Sequence, residues 1–218
     1  MKQVFIVIML SAIFLGCRKE HSSDGVQPRT PYEIAFEVDG EKVDVVYNAN
    51  EANEYSTYMF GGMAGNYFGV GCAFKISERA SLSITFGTLL SSSTQLTEAS
   101  LLQLLAPGER LYGSLGAYSS YPARDSNRVE IAYTDKQSRR WCSTGMKEKY
   151  THNGVEASVQ ISQPQGKFSI SKVEKVALSD GGAGYRVSGY FDCFLYEVNG
   201  HAKKRTKGDF TGVFAYRQ

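Results

Sequence analysis

From residue 32 onward the chain keeps returning to one pattern, in which residues of opposite character alternate with a period of two. Tyr32, Ile34, Phe36 and Val38 alternate with Glu33, Ala35 and Glu37. Successive side chains of a strand point to opposite faces, so this spacing makes a half-buried strand, whereas a helix would repeat its apolar residues every three to four positions. Asp39-Gly40 follows as a tight hairpin signal, and Val43, Val45 and Tyr47 continue the return strand. Further strands are expected over 55–61, 67–76, 82–86, 129–133, 155–161, 168–178, 185–198 and 210–216. Residues 185–198 are apolar on both parities, which predicts a central strand covered on both faces. Asn199-Gly200 marks another hairpin.

One helix is expected. Thr97 can cap 98–105, Glu98 sits at the positive end, and Pro107-Gly108 stops it. Leu101, Leu102, Leu104 and Leu105 would pack onto the sheet. With 14 Tyr, 12 Phe and 22 Gly in 218 residues, the composition agrees with an all-β domain. The fold class is therefore all-β: a single antiparallel β-sandwich or barrel-like (lipocalin-like) domain of about ten to twelve strands with one short helix. No repeat and no second folded domain is evident.

The N-terminus is of another kind. Lys2 is followed by an apolar run over 4–16 broken only by Ser11. At about 1.5 Å per helical residue the run covers about 20 Å, short of a bilayer core of about 30 Å but the length of a signal-peptide core. Phe14-Leu15-Gly16-Cys17 then resembles a bacterial lipobox, the recognition site of lipoprotein signal peptidase. Gly16 and Cys17 match that pattern, while Phe14 stands where Leu is usual and Leu15 where Ala or Ser is usual. The resemblance implies that Cys17 is acylated and becomes the mature N-terminus, with the membrane as a partner through that anchor. Two or more acyl chains anchor stably where one does not. Residues 18–31 are polar with two Pro and read as a flexible tether, so the organisation is 1–17 signal peptide, 18–31 tether and 32–218 β-rich domain. Arg18 stands where Asp would resemble an inner-membrane retention mark, which implies the outer membrane. Lys19-Glu20 partly resembles the charged export signal of Bacteroidota-type surface lipoproteins, although His21 follows. A periplasmic and a surface-facing domain are both open.

The chain carries little that resembles catalysis. His21, His152 and His201 show no metal-ligand spacing, there is no G-x-S-x-G elbow, and the glycine-rich run over 61–71 lacks the Lys-Ser/Thr ending of a phosphate loop. No metal or cofactor is expected. A formal net charge of +2 is no footprint for nucleic acid. Cys72 and Cys193 fall on apolar strand parities, and with Cys142 they make either buried free thiols or one bridge. Two surface features invite a partner. Tyr112, Tyr118 and Tyr121 lie among Ser and Gly, a composition suited to ligand or sugar binding. Lys203, Lys204, Arg205 and Lys207 crowd a hairpin, where they can meet anionic lipid or acidic glycans. Taken together these features resemble a small envelope lipoprotein. The expected function is non-enzymatic binding of a ligand, glycan or envelope protein. The alternatives are a structural or assembly component of the envelope, or a glycan hydrolase.

Overall fold

The computed structural model describes residues 32–47, 54–62, 65–90, 97–113, 128–144, 146–152, 155–160, 163, 165–178, 183–198 and 201–215. The first hairpin forms where the alternation places it. β1 (Tyr32–Val38) and β2 (Glu41–Tyr47) pair from Tyr32↔Tyr47 to Val38↔Glu41. Asp39 and Gly40 between them have φ of 49° and 86°. Positive φ at both central residues is the tight turn whose twist matches that of the strands, and Asp and Gly tolerate it best. Ile34, Phe36 and Val38 are buried while Glu33 and Ala35 are exposed.

β3 (Glu54–Gly62), β4 (Gly65–Lys75) and β5 (Ser81–Leu90) form an antiparallel meander. The glycine-rich run thus belongs to a hairpin in which Gly62 pairs with Gly65. The helix α1 (Glu98–Leu105) starts where its cap predicts: Thr97 Oγ1 accepts from Ser100 N at 3.1 Å. Leu101, Leu104 and Leu105 are buried, but Leu102 is 42% exposed. Residues three and four apart share a helix face, and Leu102 falls on the other side of an eight-residue helix, so only three of the four leucines pack. Arg110 donates to the carbonyls of Ala106 and Leu104 and so satisfies the end of the helix.

The rest of the chain is β6 (Gly108–Tyr112), β7 (Arg128–Thr134), β8 (Arg140–Cys142), β9 (Met146–His152), β10 (Val155–Gln160), β11 (Lys167–Ala177), β12 (Ala183–Glu197) and β13 (Lys203–Ala215). β9 and β10 make a separate hairpin. Ten strands follow the path β2-β1-β13-β12-β11-β6-β7-β5-β4-β3, and β8 lies off it, paired with both β7 and β12. The pairings β12-β11-β6-β7-β8-β12 therefore close a barrel-like ring. One pair departs from the antiparallel expectation. β6 and β7 run parallel through Leu111↔Arg128 and Tyr112↔Val129, which makes the sheet mixed.

β12 is central, as its length suggests, but it is not covered equally on both faces. Tyr185, Val187, Phe191, Cys193 and Leu195 are buried, whereas Arg186, Ser188, Tyr190 and Asp192 are half-buried on the outer surface. The inner face carries an aromatic core. Phe86 meets Phe214 at 5.1 Å and Phe168 at 5.5 Å, and Phe36 meets Tyr133 at 5.9 Å, all edge to face.

The closing strand β8 is held by two polar devices. Asp135, at the turn before it, accepts from Gln137 N at 3.0 Å, Arg139 N at 2.9 Å, Arg139 Nε at 2.9 Å and Trp141 Nε1 at 3.1 Å. The Trp141 ring also has Arg139 at 5.3 Å and Lys204 at 4.8 Å, both in cation–π range. Beyond β8, the Gln163 amide acts as a piece of backbone. Its Oε1 accepts from Phe194 N at 3.0 Å, and its Nε2 donates to Ser143 O at 2.6 Å.

Candidate functional site

The outer face of β2, β1, β13, β12 and β11 carries a groove of about 270 Å³. Its residues follow from strand parity. Since Ile34, Phe210, Phe191 and Phe168 point inward, their neighbours along each strand must face out. Register then aligns these outward residues in rows across the sheet. One row is Asp44–Ala35–Asp209–Tyr190–Ser169. The next contains Glu33, Thr211 and Ser188. Ala35 is the smallest side chain in the first row and lies between Asp44 and Asp209, so the row dips there.

Two backbone features shape the β11 side. The register shifts between Ile170 and Lys172, a bulge that leaves Ser171 as the extra residue at the groove, with its Oγ donating to Ser188 O at 3.1 Å. Opposite it, Gly189 has no room for a side chain. A Cβ there would lie 2.4 Å from Ser169 O and 2.8 Å from the Phe210 ring.

The chemistry of the lining is one-sided. Glu33, Asp44 and Asp209 supply three carboxylates, and Ser169, Ser171, Ser188, Thr211 and Tyr190 supply hydroxyls, with no Lys, Arg or His among the lining residues. Ser188 Oγ and Thr211 Oγ1 are 3.0 Å apart and share a hydrogen bond. Burial pushes the Tyr190 phenol above its usual range, and the charges of Asp192 and Asp209 push the same way, so it stays a hydrogen-bond donor at neutral pH. Cations stand close by, and two of them have an acid outside the groove: Lys207 lies 3.8 Å from Glu37 and Lys172 lies 2.8 Å from Glu174. Among the described residues, the three groove carboxylates have no ion-pair partner.

No protein-family model, curated protein or solved structure matches the chain.

The residues singled out from the sequence lie elsewhere. Tyr112 ends β6, and its hydroxyl donates to Lys167 O at 3.0 Å and Asp192 O at 3.3 Å. Its ring stands edge-on to Phe168 at 6.2 Å, and burial, followed by the influence of Cys193, pushes the phenol far above its usual range. Tyr112 is thus tied into the sheet rather than presented on a loop. Tyr118, Tyr121 and Cys17 lie outside the described residues. The basic cluster is spread along β13 on alternate faces, and each member has a partner. Lys203 sits 5.1 Å over the Phe194 ring and Lys204 3.9 Å from Asp39. Arg205 makes a two-point contact with Asp192 at 3.3 and 3.0 Å, and Lys207 meets Glu37.

Cys72 and Cys193 are buried free thiols, and Cys142 is free and half-buried. Burial raises all three, Cys72 and Cys193 to about 12 and Cys142 to about 11, the opposite of an activated nucleophile. Among the described residues no group of three or more His, Cys, Asp or Glu is placed to hold a metal ion, and no helix is long and apolar enough to cross a membrane.

The groove itself had only a weak signal in the sequence. Each strand showed polar residues on its outward parity, but the strand order that gathers residues 33, 44, 188 and 209 is not written in any local spacing.

Proposed function

We propose that the chain is a lipid-anchored protein of the bacterial outer membrane whose β domain binds a polyhydroxylated, glycan-like ligand without transforming it. The groove carries this reading. Its hydroxyls and carboxylates match the hydrogen-bonding groups of a sugar, and the half-buried ring of Tyr190 in its lining offers an aromatic contact for a sugar ring. At about 270 Å³ it approaches the lower end of small-ligand pockets, about 300–1,000 Å³. The anchor rests on Gly16-Cys17 after the apolar run over 4–16.

Two measurements test the two halves. The full chain, purified in detergent, is expected to bind a subset of a glycan array, and Tyr190→Ala is expected to weaken that binding about tenfold, the loss of one aromatic contact. Silence across the array, or undiminished binding by the variant, would sink the groove reading. For the anchor, cells fed a labelled fatty acid are expected to label the wild type and not Cys17→Ala. Label that persists on the variant would overturn it.

A further inference from the structure

Resting on that reading of the groove, we infer that its ligand carries a positive charge: a hydroxylated chain bearing ammonium groups, of the amino-sugar class. The groove is chemically directional. Its β2, β1 and β13 end holds Asp44, Glu33 and Asp209, and its β12 and β11 end holds Ser188, Tyr190, Ser169 and Ser171. Asp44 and Asp209 both flank Ala35 in register, so they stand two strand spacings apart, about 9–10 Å. Glu33 lies two residues along β1 from Ala35, about 7 Å away on the same face. An ammonium group over Ala35 would have a carboxylate on three sides.

The neighbouring row shows what this sheet does with charge where no ligand is needed. Lys42, Glu37, Lys207, Asp192 and Lys167 follow one another in register with alternating sign. One row away, Asp44–Ala35–Asp209–Tyr190–Ser169 holds two acids and no cation, and the row beyond it runs from Glu33 to Lys172, whose ammonium is taken by Glu174. A neutral or anionic glycan would leave these carboxylates uncompensated or repelled. A bare polyamine would answer them but make no use of the hydroxyls of Ser169 and Tyr190 at the other end of the groove. An amino-sugar chain satisfies both ends, with its ammonium over β1 and β13 and its hydroxyls over β12 and β11.

Calorimetric titration of the full chain in nonionic detergent decides this, with three probes. They are a glucosamine tetramer, an N-acetylglucosamine tetramer of equal length, and spermidine. The glucosamine tetramer is expected to bind about tenfold tighter than its acetylated counterpart, as charge-assisted contacts outweigh neutral ones. Asp44→Asn/Asp209→Asn is expected to reduce that preference to about threefold or less while its circular dichroism spectrum stays that of the wild type. Equal affinity for the two tetramers would overturn the charge inference and leave the groove reading standing. Spermidine binding as tightly as the glucosamine tetramer would overturn it in favour of a simple polycation site. Binding of none of the three would also overturn it, and the array result with Tyr190→Ala then judges the groove separately.

Discussion

Asp135→Ala is expected to lower stability by about 3–5 kcal/mol. The carboxylate is 5% exposed and accepts from four donors. Alanine would leave the Trp141 indole N–H and two backbone N–H groups without an acceptor, at about 1–3 kcal/mol for each that stays buried. It would also free Arg139, and with it the turn that delivers β8 to β12. Because β8 closes the ring, the loss is expected to appear as a lower urea midpoint, followed by fluorescence of Trp141, the chain's one tryptophan. Asp135→Asn keeps one acceptor oxygen and is expected to cost less. The pH dependence has a fixed sign. Burial opposes the charged form, but hydrogen bonds from Arg139 N, the Trp141 indole, the Arg139 guanidinium and Gln137 N outweigh it, so the carboxyl is held below its usual range. The stability from a depressed carboxyl is full above the unfolded value of about 3.9 and is lost as pH falls from there through the lower folded value. The gap between wild type and Asp135→Ala is therefore expected to be full at pH 7 and to narrow below about pH 4. A midpoint unchanged by Asp135→Ala at pH 7 would refute the role of Asp135 in holding β8.

What could be read directly from the sequence was whatever depends on neighbours in the chain. Asp39-Gly40 makes its hairpin because both residues tolerate positive φ, and Thr97 starts α1 because its hydroxyl reaches a backbone N–H three residues on. Tyr185 to Leu195 announced a long central strand. β6, β8 and β9 are the strands that escaped notice. β8 is three residues long, and nothing in Arg140-Trp141-Cys142 reveals that it pairs with Tyr133 on one side and Glu197 on the other. β6 hides for another reason. Leu111 is 64% exposed, and Tyr112 uses its hydroxyl on the backbone of β11 and β12, so its apolar residues do not mark the buried face. Leu102 misled in the same way, since a run of leucines on a short helix cannot all face one sheet. The groove lies furthest from local pattern. Ala35 and Asp209 are neighbours only because β13 returns to pair with β1. The proposed anchor is the reverse case: Cys17 was singled out by the sequence around it alone and lies outside the described residues.

Phe168→Ala is the second large effect, expected to cost about 3–5 kcal/mol. The side chain is 1% exposed, and its ring touches Phe86 at 5.5 Å, Phe210 at 5.6 Å and Tyr112 at 6.2 Å. Those partners come from β5, β13 and β6, so the ring ties together strands from opposite sides of the sheet around β11. The vacated space cannot collapse easily, because Phe86 is itself fixed against Phe214 at 5.1 Å. A double-mutant cycle with Phe86→Ala is expected to return a coupling of about 0.5–1.5 kcal/mol in urea denaturation, the share of the edge-to-face contact beyond burial. Strict additivity would show that the two rings act independently. The same strand separates stability from binding. Phe168 faces the core and Ser169 faces the groove, so Ser169→Ala is expected to leave stability within about 0.5 kcal/mol while removing a hydroxyl from the site. Phe168→Leu, nearer in volume, is expected to cost less than Phe168→Ala and to keep β11 in register. If Phe168→Leu held the fold yet abolished binding of the groove's ligand, the groove would depend on the core packing beneath it, and the outer face could not be treated as a separate layer.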